Sequence, residues 1–321
     1  MHWICWKPNP LLQIFYLGLT FGGLGVVVWN YYSRLPNPYV PAWQMTFGPC
    51  VVCVAVLSYF VTSYSDPGVI KKDNVNRFLS AYAYDNLMYD HKECSTCDIV
   101  RPARSKHCRI CDRCVARFDH HCGWTNTCIG EGNYRYFLVF LYVNSLMMIY
   151  AAYITAAIGY GIVLEERLQY VYFLDQAGTK IPANTKIIFQ YMMMHHGLLG
   201  SVCILCLVMG VVLFFFLLYH LNLVRKGLST NESFKWGDLV AWRANCIRKA
   251  SHALKVKEME ELRDVAAAAA TTTTTTAGPG GAVAAAPEEF KDTEDKKKAR
   301  TKEASDHFFK LHGEFTNKYN E

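Results

Sequence analysis

Four stretches of this 321-residue chain, at about residues 11–29, 45–64, 136–164 and 197–223, are almost free of charge and at least 19 residues long. A helix of that length crosses about 30 Å of hydrocarbon. Four such helices are hard to bury in one soluble core, so the chain is expected to be an all-α integral membrane protein with four transmembrane helices. The first stretch reads as a retained span rather than a cleaved leader. Only Lys7 precedes it as a cation, and Pro36, Pro38 and Pro41 follow it in place of a small-residue cleavage site.

Lysine and arginine set the expected orientation, because they accumulate in cytoplasmic loops. Residues 65–135 carry 11 of them and residues 221–321 carry 17, against one (Arg34) in 30–44 and three in 165–196. This places a cytosolic N-terminus at 1–10, lumenal loops at 30–44 and 165–196, a cytosolic loop at 65–135 and a cytosolic tail. In the tail, residues 224–264 mix apolar and basic side chains at loosely helical spacing, as an interfacial segment does. Residues 265–321 open in runs of alanine and threonine and read as a low-complexity, disordered tail. The net charge of +6 reflects this topology. The cytosolic loop balances 11 Lys and Arg against 9 Asp and Glu, so no nucleic acid is expected as a partner.

That loop holds Cys94, Cys97, His107, Cys108, Cys111, Cys114, His120, His121, Cys122 and Cys128, ten soft or borderline metal ligands in 35 residues. Cytosolic thiols stay reduced, so metal binding or catalysis is expected rather than disulfides. A structural zinc takes four thiolate or imidazole ligands, and two ions would use eight of the ten. The natural remainder is one histidine and one cysteine of the Asp119-His120-His121-Cys122 tetrad. A spare thiol beside a spare imidazole is the raw material of an activated sulfur nucleophile. The spacing alone also fits a zinc ribbon or a knuckle array with no catalytic part. Residues 92–132 contain few aliphatic side chains, so metal is expected to hold them together. Tyr82, Tyr84 and Tyr89, just before them, are expected to pack along the membrane interface.

Residues 94–137 resemble the cysteine-rich domain of the DHHC-type protein S-acyltransferases (palmitoyltransferases). The resemblance rests on Cys94-x2-Cys97, Arg101-Pro102-Ala103-Arg104-Ser105-Lys106-His107-Cys108, Cys111, Cys114, Asp119-His120-His121-Cys122, Cys128, Asn133 and Phe137. Asp66-Pro67-Gly68 resembles that family's turn after the second span. Ser229-Thr230-Asn231-Glu232 resembles its TTxE motif after the fourth, with Ser for the first Thr. The likeness extends over roughly residues 10–245. It implies four spans and a small zinc-stabilised domain on the cytosolic face. It also implies interleaved ligands, with Cys94, Cys97, His107 and Cys114 on one zinc and Cys108, Cys111, His121 and Cys128 on the other. His120 and Cys122 remain. Adjacent residues of an extended chain face opposite ways, so His121 can face a zinc while His120 and Cys122 share the other side.

The resemblance further implies that Cys122 is the nucleophile, His120 its base and Asp119 the group that orients His120. Cys122 would take a fatty acyl group from palmitoyl-CoA and pass it to a juxtamembrane cysteine of a protein substrate. The acyl chain would lie among the spans, walled by the second, third and fourth. Arg101, Arg104 and Lys106 are candidate contacts for the CoA phosphates, and Thr230 and Glu232 would brace the tail against the zinc domain. The expected location is the ER, Golgi or plasma membrane. The alternative is a non-catalytic scaffold that recruits cytosolic partners through its zinc domain; the intact set Asp119, His120 and Cys122 argues against it.

Overall fold

The computed structural model describes residues 9–85, 88–174 and 178–273. In chain order, α1 (Leu11–Tyr31) and α2 (Gln44–Tyr64) are followed by a two-residue strand β1 (Val69–Ile70) and a short α3 (Val75–Leu79). Three hairpins come next: β2 (Glu93–Cys94) with β3 (Ile99–Val100), β4 (Lys106–Cys108) with β5 (Arg113–Val115), and β6 (His120–Cys122) with β7 (Thr127–Ile129). Helix α4 (Tyr134–Glu165) leads to the hairpin β8 (Tyr172–Leu174) and β9 (Lys180–Pro182), then to α5 (Thr185–His195) and α6 (Gly197–Arg225). Helix α7 (Thr230–Thr273) ends the described chain. Among the described residues, four helices are long and apolar enough to cross a membrane: Leu11–Arg34, Gln44–Tyr64, Tyr134–Glu165 and Gly197–Arg225.

Helix α4 packs along α6 on one side and against α2 on the other. The two helices α4 and α6 approach closely at Gly210, where an added Cβ would stand 3.1 Å from the Ile149 backbone nitrogen. In lipid, such close packing and interhelical hydrogen bonds replace the hydrophobic effect as the force between helices. Tyr16 of α1 stacks on Tyr59 of α2 at 4.3 Å, and its hydroxyl donates to Asn144 Oδ1 of α4 at 2.8 Å.

The β-hairpins join these spans at one end. Asp66 Oδ1 accepts from the backbone N–H groups of Gly68 and Val69, both at 3.0 Å, and Gly68 adopts a left-handed φ of +93°. That turn delivers β1 to the edge of β5, giving a sheet in the order β1-β5-β4. Two small apolar clusters sit among the cysteines. Ile70, Ile99 and Ala116 pack with Cys94 and Cys114; Val115 and Phe118 pack with Cys108 and Cys128. The segment is thus not held by metal ligands alone, as its low aliphatic content implied. β1 supplies Ile70 from outside residues 92–132.

Two sequence expectations change, for the three tyrosines and for the start of the tail. Tyr82, Tyr84 and Tyr89 pack on the hairpin domain rather than along a membrane. Tyr82 lies under the Arg104 guanidinium at 4.9 Å, the Tyr84 hydroxyl donates to Arg101 O at 2.8 Å, and Tyr89 is buried. The loop 165–196 contains a hairpin and a helix, the latter capped by Asn184, whose Oδ1 accepts from Ile187 N at 2.9 Å. Helix α7 runs through the alanines into Thr273, past the boundary at 265 where low complexity begins. Alanine is the strongest helix former, so that run extends the helix. The remaining tail, 274–321, and the N-terminal residues 1–8 lie outside the described residues. The chain divides into two compact units at Glu232/Ser233.

Asn133 joins the hairpins to α4. It is fully buried at the helix N-terminus; its Oδ1 accepts from Gly130 N at 3.0 Å and its Nδ2 donates to Cys128 O at 2.9 Å. Asn133→Ala leaves two buried backbone groups unpaired and is expected to cost about 2–4 kcal/mol. Thermal unfolding of the detergent-solubilised protein would show this as a lowered midpoint. Asn133→Asp, which keeps the acceptor, should fall between the two; an unchanged midpoint for Asn133→Ala would remove the residue from this role.

Candidate active site and metal centres

Each hairpin turns through a residue with a left-handed backbone: Asp98 (φ 50°), Asp112 (φ 50°) and Asn126 (φ 51°). Asp and Asn tolerate that region better than other side chains with a Cβ. The three hairpins are a repeat of 14 residues: Cys94, Cys108 and Cys122 are equivalent, as are Cys97, Cys111 and Thr125, and then Asp98, Asp112 and Asn126. His107 and His121 are one repeat apart, as are Cys114 and Cys128. This period is visible in the sequence and explains the interleaving directly.

Strand register places His107 opposite Cys114 and His121 opposite Cys128. Two ligand sets result, Cys94, Cys97, His107 and Cys114, and Cys108, Cys111, His121 and Cys128. His107 Nδ1 lies 3.5, 3.4 and 3.8 Å from the sulfurs of Cys94, Cys97 and Cys114. His121 Nδ1 lies 3.8, 3.3 and 3.8 Å from those of Cys108, Cys111 and Cys128. Ligands on the corners of a zinc tetrahedron stand about 3.5 Å apart, given bonds of about 2.0–2.3 Å. Both donor sets therefore fit zinc. His107 Nε2 faces Asp112 Oδ1 at 3.4 Å, an outer partner of the kind that orients a ligating imidazole.

His120 and Cys122 project from β6 on the side away from His121. Asp119 is buried; its Oδ2 lies 2.7 Å from His120 Nδ1, and its Oδ1 accepts the Thr230 backbone N–H at 2.7 Å. Burial would raise the Asp119 carboxyl, but His120 and the Thr230 N–H outweigh it and hold it below the usual range. Burial likewise opposes charge on His120, yet Asp119 and the Cys122 sulfur push it up to about 9. Burial raises the Cys122 thiol; His120 first, then the hydroxyl and backbone N–H of Thr125, bring it below the ordinary thiol value. The three side chains thus favour a thiolate beside an imidazolium.

Cys122 belongs to a buried cluster with Tyr59 of α2, Phe137, Phe140 and Leu141 of α4 and Leu217 of α6, and Tyr16 and Leu17 of α1 pack on that cluster. Side chains of all four spans thus meet in the cluster that holds the thiol. The loop behind it is also held by α1 and α2: Gln13 Nε2 donates to Thr125 O at 3.3 Å and the Tyr59 hydroxyl to Trp124 O at 3.0 Å.

Of the cations considered for CoA phosphates, Arg104 is largely committed elsewhere. Its Nε and Nη2 donate to the two Glu232 carboxylate oxygens at 2.7 and 2.6 Å, and Nη2 also donates to Gly227 O at 2.7 Å. This buried fork–fork pair engages Nε and Nη2 and ties Arg104 to the start of α7, leaving Nη1 as its remaining donor group. Lys106 is exposed and its Nζ donates to Asn231 Oδ1 at 2.8 Å; Arg101 is half-buried. Ser229 and Glu232 cap α7 reciprocally: Glu232 N donates to Ser229 Oγ at 3.2 Å and Ser229 N to Glu232 Oε2 at 2.8 Å. The S-x-x-E pattern at 229–232 is the sequence signature of this capping box.

Elemental analysis of the purified protein is expected to give two zinc ions per chain. His121→Ala should lower that to about one and open residues 92–132 to protease, because the second set then lacks its only imidazole. His120→Ala should leave both ions in place; zinc loss in that variant instead would exchange the two histidines.

The DHHC palmitoyltransferase family model matches residues 87–237. The palmitoyltransferase swf1 of Schizosaccharomyces pombe is 33% identical over 240 residues, covering 74% of this chain and 62% of the relative. The palmitoyltransferase ZDHHC4 of Mus musculus is 35% identical over 257 residues, covering 75% and 73%. The palmitoyltransferase SWF1 of Saccharomyces cerevisiae is 37% identical over 166 residues, covering 51% and 41%. The residues matched by the family model hold both ligand sets and the tetrad whose geometry is described above, and the chain belongs to the DHHC palmitoyltransferase family.

Proposed function

We propose that this integral membrane protein is a protein S-acyltransferase that carries the fatty acyl group, palmitoyl foremost, on Cys122. The observation that carries the reading is the line Asp119–His120–Cys122: a buried carboxylate on one ring nitrogen of His120, a thiol beside the ring, and an apolar floor of four spans beneath that thiol. The zinc ions would supply rigidity, fixing β6 so that these side chains meet.

In the first half-reaction the Cys122 thiolate attacks the carbonyl carbon of acyl-CoA. The bond from that carbon to the CoA sulfur breaks, and the proton held on His120 goes to the departing sulfur. In the second, the thiol of a substrate protein gives its proton to His120 and attacks the acyl carbon, and Cys122 leaves as thiolate. Both steps exchange one thioester for another, so no further energy source is needed. Asp119 keeps the His120 Nε2 lone pair toward the sulfur and stabilises the imidazolium. The substrates are proteins whose cysteines reach the membrane surface. The hairpin domain faces the cytosol in an endomembrane or the plasma membrane.

Purified protein incubated with palmitoyl-CoA should gain one hydroxylamine-labile palmitoyl group on Cys122, located by mass spectrometry; Cys122→Ser should gain none. A labile acyl group that persists in Cys122→Ser would place the nucleophile elsewhere. The pH dependence has a definite sign. In wild type His120 lowers the thiol, so a larger share of it is ionised at neutral pH than in a variant without that imidazole. His120→Ala removes the largest lowering influence and leaves Thr125 alone against burial, so the thiol rises. Its acylation rate at pH 7 should fall about 100-fold or more, as loss of a general base does, and climb with pH; a flat profile in the variant would contradict the base assignment.

The Lys and Arg distribution carries the orientation. In sealed microsomes an epitope placed between β8 and β9 should resist added protease while one in the tail is digested. The reverse pattern would invert the topology.

A further inference from the structure

Between Gly197 and Tyr219, helix α6 contains no acidic, basic or amide side chain. His220 then follows, 1% exposed, in the wall of the site. Its Nδ1 meets the Tyr134 hydroxyl at 3.0 Å, while its Nε2 is buried without a hydrogen-bond partner. The rings of Phe137 and Phe216 meet it edge-on at 5.1 and 4.6 Å, and the His120 ring centroid is 6.1 Å away. Leu217 of α6 belongs to the buried cluster that holds Cys122. Residues three apart share a helix face, so the α6 face in that cluster presents the His220 imidazole one turn further on.

The groups assigned so far act on sulfur and its proton. Asp119 holds one nitrogen of His120, and the other serves the thiol. None of them acts on the carbonyl oxygen, where negative charge develops when sulfur adds to a thioester, and donors aimed at that oxygen supply a large part of the rate in acyl transfer. A polar atom buried without a partner in a native protein calls for an explanation. Resting on the acyl-transfer reading of Cys122, we propose that His220 is a second histidine of the active site, whose Nε2–H donates a hydrogen bond to the thioester carbonyl oxygen. Tyr134 is then a positioning residue. Its O–H donates to Nδ1 and fixes the tautomer that carries the proton on Nε2. Phe137 and Phe216 hold the ring plane. The oxygen keeps its negative charge only while carbon is bonded to both sulfurs; when the carbon–sulfur bond to CoA breaks, the carbonyl re-forms and the hydrogen bond to His220 remains, weaker.

The test uses the full chain in lipid nanodiscs and [1-13C]palmitoyl-CoA. His220→Phe keeps a ring and removes the donor. Its acylation kcat should fall about 100-fold, with KM for palmitoyl-CoA and zinc content unchanged. The isotope-edited carbonyl stretch of the acyl-enzyme should rise in wavenumber, a shift that loss of packing alone would not give. His220→Gln, whose amide nitrogen reaches the place of Nε2, should recover part of the rate; His220→Asn, which replaces Nδ1, should not. Tyr134→Phe should lower the rate less, and should add nothing in the His220→Phe background. Wild-type acylation by His220→Phe, or an unmoved carbonyl band, overturns the proposal while leaving Cys122 as the nucleophile. Should His220→Phe fail to fold, an unchanged rate and band in Tyr134→Phe overturn it equally. If wild-type protein acquires no labile acyl group on Cys122, the acyl-transfer reading fails and this inference with it.

Discussion

Each metal set closes only when successive hairpins meet. The first takes two cysteines from the β2–β3 hairpin and a His–Cys pair from β4–β5; the second takes two cysteines from β4–β5 and a His–Cys pair from β6–β7. The ligand sets therefore act as registration pins. With two structural zincs, each worth on the order of 10 kcal/mol, the hairpins have one relative arrangement. The third hairpin closes no set of its own. In the 14-residue period, Cys122 stands where the first repeat has Cys94 and the second Cys108, and Thr125 stands where they have Cys97 and Cys111. Cys122 thus occupies a ligand position whose neighbouring ligand is replaced by a hydroxyl, which leaves its sulfur outside both ligand sets.

Two buried carboxylates connect this platform to the end of the fourth span. Asp119 receives Thr230 N–H, and Glu232 takes the Arg104 fork. An isolated buried carboxylate is costly, and each here has charged or backbone partners on a different segment. The consequence is mutual. The first turn of α7 is held in part by the Asp119 carboxylate, so changes at 229–232 reach His120 through Asp119.

Much of this was legible in the sequence. The spans follow from length and lack of charge, and the ligand count from ten donors in 35 residues. The alternation that separates His120 from His121 follows from β geometry. Other features depended on tertiary partners. Arg104 resembles a phosphate contact, and only the fold shows Glu232, 128 residues away, beside it. Tyr82, Tyr84 and Tyr89 read as interfacial because aromatic residues near a span usually are; the hairpin residues they meet, Arg101 and Arg104, follow closely in the chain, but only the fold turns the tyrosines onto them. His220 gave no periodic or motif signal. It stood in an apolar helix as one histidine, and only the fold brings it to His120. The 14-residue period was present throughout, but the Thr125 and Cys122 positions break its ligand identity and conceal it.

Which of the two imidazoles faces the Cys122 thiol depends on register. His120 and His121 are neighbours, and a strand repeats every two residues, so slipping β6 by one position against β7 would turn His121 toward the thiol face and His120 toward the ligand set. The structure pins this register at both ends. Asp119 N donates to Ile129 O at 2.9 Å at the start of β6, and Asn133 fixes Gly130 and Cys128 beyond β7. Gly130 itself must lack a side chain, since a Cβ there would stand 2.6 Å from Pro67 O of the turn after α2. That contact locks the end of β7 to the end of a membrane span. The same spans that would take the acyl chain therefore decide which of two identical imidazoles faces the sulfur.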